Sequence, residues 1–260
     1  MSENLKEKLL KEVQKTGYPL ELKVGDIFSK RDWGLQYCRY YLDKDEHKGK
    51  EIDISAFKRV FTETVHVGLH IICEVKKSSD KPWVIFSTVK EPLDVPGWNR
   101  LHYCHNVDSS ILPYEELEKN SSIGKFSRVG RSYYEAFKSA DDRSQIFKAL
   151  TSSVKASEDC LERNKKYFET GFKYSKEIYF IDPVVIFDGF LYEAYLNSKN
   201  DLEINEINYI PVSFGYISSE YSRFGYSVEV VRLDELNNLL ESKEKWIIGI
   251  RNAIMNNPSK

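Results

Sequence analysis

Two apolar segments within residues 49–78 constrain the fold of this chain more than any other stretch. Gly49 to Ile54 reads Gly-Lys-Glu-Ile-Asp-Ile, and His70 to Ser78 reads His-Ile-Ile-Cys-Glu-Val-Lys-Lys-Ser. The side-chain alternation of an extended backbone makes strands of both. Asp53 lies between Ile52 and Ile54, so the isoleucines are expected on one sheet face and the carboxylate on the other. In the second strand Ile71, Cys73 and Val75 share a face, and Glu74 and Lys76 share the opposite one. Paired as neighbours, the two strands bring Asp53, Glu74 and Lys76 together. Two carboxylates hold a hard divalent cation, and an ammonium beside them orients water and offsets negative charge. That combination suits hydrolysis of a phosphodiester.

The remaining pattern predicts a mixed α/β chain. Residues 3–15 read as a charged helix with Leu5, Leu9, Leu10 and Val13 along one side. Gly17 ends it, and Pro19 opens a second helix over 19–30 that carries Leu20, Val24, Ile27 and Phe28 at helical spacing. Strands are expected over 33–42, 50–60, 68–77 and 81–88. Pro92, Pro96 and Pro113 mark residues 90–130 as irregular. A long helix is expected over 141–169, with Asp141 or Asp142 as its cap. The apolar strand 178–187 contains Asp182-Pro183, which suggests an edge position or a bulge. Asp188-Gly189 predicts a tight hairpin into 191–196. Strands near 207–217 and 226–232 and a helix over 233–254 complete the chain. We read residues 1–260 as one domain: a core of 16–90 and 141–188, a loop-rich insertion over 91–140, and C-terminal strands and helix over 189–260. Whether the later strands extend the core sheet or build a second one is left open by the pattern.

The Glu-Ile-Asp-Ile segment, its spacer and the strand ending Cys-Glu-Val-Lys-Lys-Ser resemble the core of the PD-(D/E)xK nuclease superfamily, the restriction-endonuclease-like fold. Thr16-Gly17-Tyr18-Pro19-Leu20-Glu21 resembles the start of that family's first core helix, which often carries an auxiliary acid. Lys81-Pro82-Trp83-Val84-Ile85-Phe86 resembles the strand that follows the lysine in such proteins. The likeness spans residues 16–90 and weakens through 142–170 and 178–187. Ile52 stands where the family usually places proline.

The resemblance implies an α/β fold with an αβββαβ core, its mixed sheet flanked by helices. It also implies a magnesium-dependent hydrolase, an endonuclease, with Mn²⁺ fitting the same ligands. Asp53, Glu74 and the Val75 carbonyl would bind the metal. Glu21 would act through water or a second ion, and Lys76 would orient and help deprotonate the attacking water. The implied partner is nucleic acid, DNA ahead of RNA, and relatives often cut as homodimers. A member that keeps the fold but binds DNA or protein without cleaving is the alternative. Gln145 is an auxiliary candidate, although Ala149 stands where one subgroup has tyrosine.

Composition sets the remaining bounds. A net charge of −2 provides no global basic field, so nucleic acid must meet a local basic patch. The 4 cysteines are widely spaced and read as reduced thiols. With no leader in residues 1–15 and no apolar run of the roughly 18 residues a membrane span needs, a soluble cytoplasmic protein is expected. His102-Tyr103-Cys104-His105 lacks the second ligand pair of a zinc site. No Gly-rich phosphate loop is present, which argues against ATP use.

Overall fold

Helices and strands alternate as the apolar spacing requires. The computed structural model describes residues 2–94, 100–114, 117, 125–137, 144–171, 175–221, 223 and 225–256. Helices α1 (Ser2–Val13) and α2 (Tyr18–Ser29) precede an antiparallel run of β1 (Gly34–Asp43), β2 (Lys48–Phe61) and β3 (His66–Lys77). Next come β4 (Trp83–Val89), β5 (Leu101–His105), β6 (Arg128–Glu135) and the long helix α3 (Gln145–Gly171). β7 (Glu177–Asp188), β8 (Leu191–Leu196), β9 (Leu202–Glu206), β10 (Tyr209–Phe214), β11 (Tyr226–Arg232) and α4 (Leu236–Met255) follow. All strands join one 11-stranded mixed sheet in the order β1-β2-β3-β7-β11-β10-β6-β4-β8-β9, with β5 alongside β7. The later strands therefore extend the first sheet. β7 lies parallel to both β3 and β11, and parallel pairing needs a long crossover such as α3 supplies.

Helices cover both faces of the sheet. On one face Leu20, Val24 and Phe28 of α2 and Trp246, Ile247 and Ile250 of α4 pack on Ile54, Leu69, Ile71, Cys73 and Phe180. On the other, Ile146, Leu150 and Val154 of α3 pack on Ile72, Ile181, Val185 and Phe187. Burying each large aliphatic side chain contributes about 1.5–3 kcal/mol, so both helix layers are firmly held. α1 is different: its apolar side, Leu5, Leu9, Leu10 and Val13, stays exposed. No helix among the described residues is long and apolar enough to cross a membrane.

Four sequence expectations are corrected. Ile52 and Ile54 do not share a face, because Ile54 packs under α2 and α4 while Ile52 packs under α3. The 91–140 segment supplies two strands, β5 against β7 and β6 between β10 and β4. Pro183 sits in a central strand, opposite Ile72 of β3. It is tolerated because β5 pairs with β7 only through Ile181, and β11 begins only at Val184. On that flank Pro183 falls between two neighbours, where its missing N–H breaks no ladder bond. The expected hairpin after Asp188-Gly189 does not form: β8 pairs with β4 and β9, not with β7. Asp141, Asp142 and Pro96 lie outside the described residues, and α3 begins at Gln145.

Candidate active site

The site forms where the β1–β2–β3 ladder loses its regularity. In β1, Tyr37 is paired with Ile54 and Arg39 with Ile52, leaving Cys38 and Asp53 between the two pairs. Cys38 has φ 51, a left-handed conformation for a residue with a Cβ. Across this point β2 reverses which face its apolar residues present, hence the split between Ile52 and Ile54. The β2–β3 ladder ends at Ile54 and Cys73. The Val75 N–H, beyond that end, donates instead to Asp53 Oδ2 at 2.6 Å. The carboxylate thus satisfies a backbone donor that would otherwise be an orphan, and this bond anchors Asp53 at the head of β3.

Asp53, Glu74 and Lys76 come together, as the strand spacing predicts. Lys76 Nζ lies 2.5 Å from Glu74 Oε2, 3.4 Å from Asp53 Oδ2 and 3.3 Å from the Val75 carbonyl oxygen. The ammonium therefore occupies the point where three oxygens converge. Glu74 is only 5% exposed. Its desolvation pushes the carboxyl pKa up to about 7, Asp53 adds to the rise, and Lys76 opposes it. Burial alone would lower the Lys76 pKa, but the charges of Glu74 and Asp53 outweigh it and raise the value, so Lys76 stays cationic.

Glu21 lies in the first turn of α2, whose start is set by Gly17 and Pro19. Its carboxyl pKa is raised, first by burial and then by the Asp53 charge, while Lys76 pulls it down. Glu21 therefore shares the electrostatic neighbourhood without entering the hydrogen-bonded triad. Gln145 opens α3, and its backbone N–H donates to Glu135 Oε2 at 3.0 Å.

Sequence reasoning missed two neighbours, Tyr41 and Cys38. Tyr41 is buried beneath α3 and hydrogen-bonded to Ser152. Burial raises its hydroxyl pKa to about 12, and the Glu74 charge contributes to the rise. Cys38 is exposed, and its thiol is raised to about 11, chiefly by a hydrogen bond to the Glu51 carboxylate. Nothing in the local pattern marks these residues beyond the aromatic content of β1, because only the strand pairing sets them beside the acids.

Among the described residues, no group of three or more His, Cys, Asp or Glu side chains is close enough to hold a metal ion. The donor set at this point is two carboxylates and one carbonyl. All are hard oxygen donors, and they fit Mg²⁺ or Mn²⁺, which keep part of their coordination as water. His102 and His105 of β5 are engaged locally, with the Arg100 carbonyl (3.2 Å) and the Tyr103 hydroxyl (3.3 Å). No protein-family model matches the chain, and neither a curated protein nor a solved structure matches it.

Proposed function

We propose that the protein is a metal-dependent nuclease of the restriction-endonuclease-like type, acting on DNA. One observation carries the reading: Asp53 Oδ2, Glu74 Oε2 and the Val75 carbonyl all lie within 3.4 Å of the Lys76 ammonium, so two acids, a carbonyl and the lysine share one site. The element order α2-β1-β2-β3, then α3-β7 with β7 parallel to β3, supports it as an αβββαβ arrangement. Asp53, Glu74 and the Val75 carbonyl would hold the ion, and Glu21 would add negative charge nearby. Bound Mg²⁺ or Mn²⁺ would supply Lewis acidity and a lowered pKa for water.

The protein's own groups perform the rest. The Val75 N–H fixes the Asp53 carboxylate, so one donor is preorganised. Lys76 is held cationic between two acids, and it orients the attacking water and offsets charge that develops on the phosphoryl oxygens. Burial keeps Glu74 dry, which strengthens every electrostatic contact it makes. The test is plasmid nicking with and without Mn²⁺, comparing wild type with Lys76→Ala. Cleavage by wild type that is lost in the variant supports the reading. Equal cleavage by both removes Lys76 from it.

A second reading is a non-cleaving binding module that keeps the fold. The observation favouring it is that Lys76 already neutralises both acids through direct contacts. Mn²⁺ titration by calorimetry separates the two readings, since a self-neutralised module takes up no ion.

A further inference from the structure

A groove of about 610 Å³ runs between the first half of α3 and the start of β2. Phe147, Lys148, Thr151 and Ser152 line it from α3, with Lys50 and Tyr216 on other walls. Spacings of three and four residues put the helical positions on one side of α3. The groove adjoins the acidic site along β2: Lys50 on its wall lies three residues before Asp53, and Tyr41, paired with Lys50, is buried in the same cluster as Ile72, two residues before Glu74.

We propose that this groove binds an unpaired nucleic-acid strand and delivers it to the acidic site; the delivery half of the proposal rests on the hydrolytic reading above. Three features define the occupant. Phe147 is 45% exposed on a helix whose other apolar residues are mostly buried, so it offers a ring face to solvent. Thr151 lines the groove, and its buried Oγ1 has no hydrogen-bond partner among the described residues. Lys148 makes no ion pair among the described residues, whereas the other two lysines are engaged. Lys155 is held by Asp43 (2.9 Å) and Asp45 (2.7 Å), and Lys50 by Asp43 (2.6 Å) and Glu46.

The chemistry selects a single strand. An exposed ring stacks on any base face, but a duplex hides those faces. A free ammonium beside hydroxyl donors suits a phosphodiester oxygen. With Lys50 and Lys155 neutralised by Asp43, Asp45 and Glu46, which itself lines the groove, the groove carries no net positive charge, and Lys148 is its one cation without an ion pair among the described residues. Stacking must then supply much of the affinity, which again favours unpaired bases.

The experiment is fluorescence anisotropy with a short fluorescein-labelled single-stranded oligodeoxynucleotide in EDTA, so that the strand stays intact. Phe147→Ala should weaken binding about tenfold, the range for one lost base stack. Lys148→Ala should lower the slope of log affinity against log salt by about 0.7, the value for one phosphate contact on a single strand. Asp53→Ala should bind at least as well as wild type, and a blunt duplex of the same sequence should bind more weakly. Both groove substitutions are at exposed positions, and thermal melting checks that each variant is folded. Unchanged affinity in Phe147→Ala and Lys148→Ala, or tighter binding of the duplex, overturns the proposal. Binding lost in these variants while wild type shows no Mn²⁺-dependent cleavage keeps the groove and removes the hydrolytic reading. Cleavage by wild type with groove variants that bind normally does the reverse.

Discussion

Metal uptake at Asp53 and Glu74 should switch on near neutral pH, because a cation competes with the proton that burial favours on Glu74. The Glu74 carboxyl pKa stands at about 7, against an ordinary 4.5. At pH 5.5 such a group is only about 3% ionised, so apparent Mn²⁺ affinity should fall about 30-fold below its value at pH 8. An ordinary exposed glutamate would be about 90% ionised at pH 5.5 and would lose almost nothing. Calorimetric Mn²⁺ titrations between pH 5.5 and 8 measure this directly, with Glu74→Gln as the control that should bind weakly at every pH. The same shift has a stability consequence. The folded-state pKa lies above the unfolded one, so the native state holds a proton that the unfolded chain releases. Stability of the metal-free protein should therefore fall as pH rises from about 4.5 to about 7, by at most about 3 kcal/mol. Glu74→Gln should lack that decline in urea denaturation. A flat affinity profile from pH 5.5 to 8, or a midpoint near 4.5, would refute the premise that desolvation governs this carboxyl.

Lys76→Ala should abolish plasmid nicking and move the pH midpoint for metal binding upward, since the cation that opposes the rise in Glu74 is gone; an unshifted midpoint counts against the contact. Cys38→Gly should be tolerated, because glycine accepts φ 51, whereas Cys38→Val should be less stable than the glycine variant by about 1–2 kcal/mol and reduce nicking by moving Asp53; equal melting temperatures for the two would argue against strain there. Beneath α4, Lys243 reaches Asp182 and Glu229, each at 2.5 Å, and Arg100 pairs with Asp182 while stacking on Trp246. Lys243→Met removes one cation from this buried network and leaves Asp182 with Arg100, and it should cost about 3–5 kcal/mol, seen as a melting temperature lower by several degrees; a neutral result would mean water reaches the network.

Much of the local structure is legible in the chain. The helical spacing of Leu20, Val24 and Phe28 marks α2, and the alternation of Ile71, Cys73 and Val75 against Glu74 and Lys76 marks β3. Both survive in the structure because each residue's neighbours in sequence are also its neighbours on the element. Pro183 and Gly189 point the wrong way for the opposite reason. Whether a proline breaks a ladder depends on where the flanking strands stop, and whether Asp-Gly closes a hairpin depends on whether the next strand has a better partner in β4.

The sequence by itself determined the strand carrying Glu74 and Lys76, the helix carrying Glu21, and the pairing of β2 with β3 that brings Asp53 to them. Those features follow from period and proximity along one short stretch. Only the tertiary structure decided how Asp53 meets them. The left-handed Cys38 lies where the strands invert, the ladder stops at Ile54, and the Val75 N–H then has no carbonyl to bond, so it takes the Asp53 carboxylate instead. The same holds for Tyr41, Ser152 and the α3 groove: they adjoin the site because distant segments pack on one sheet face, and no local pattern encodes which distant segment arrives.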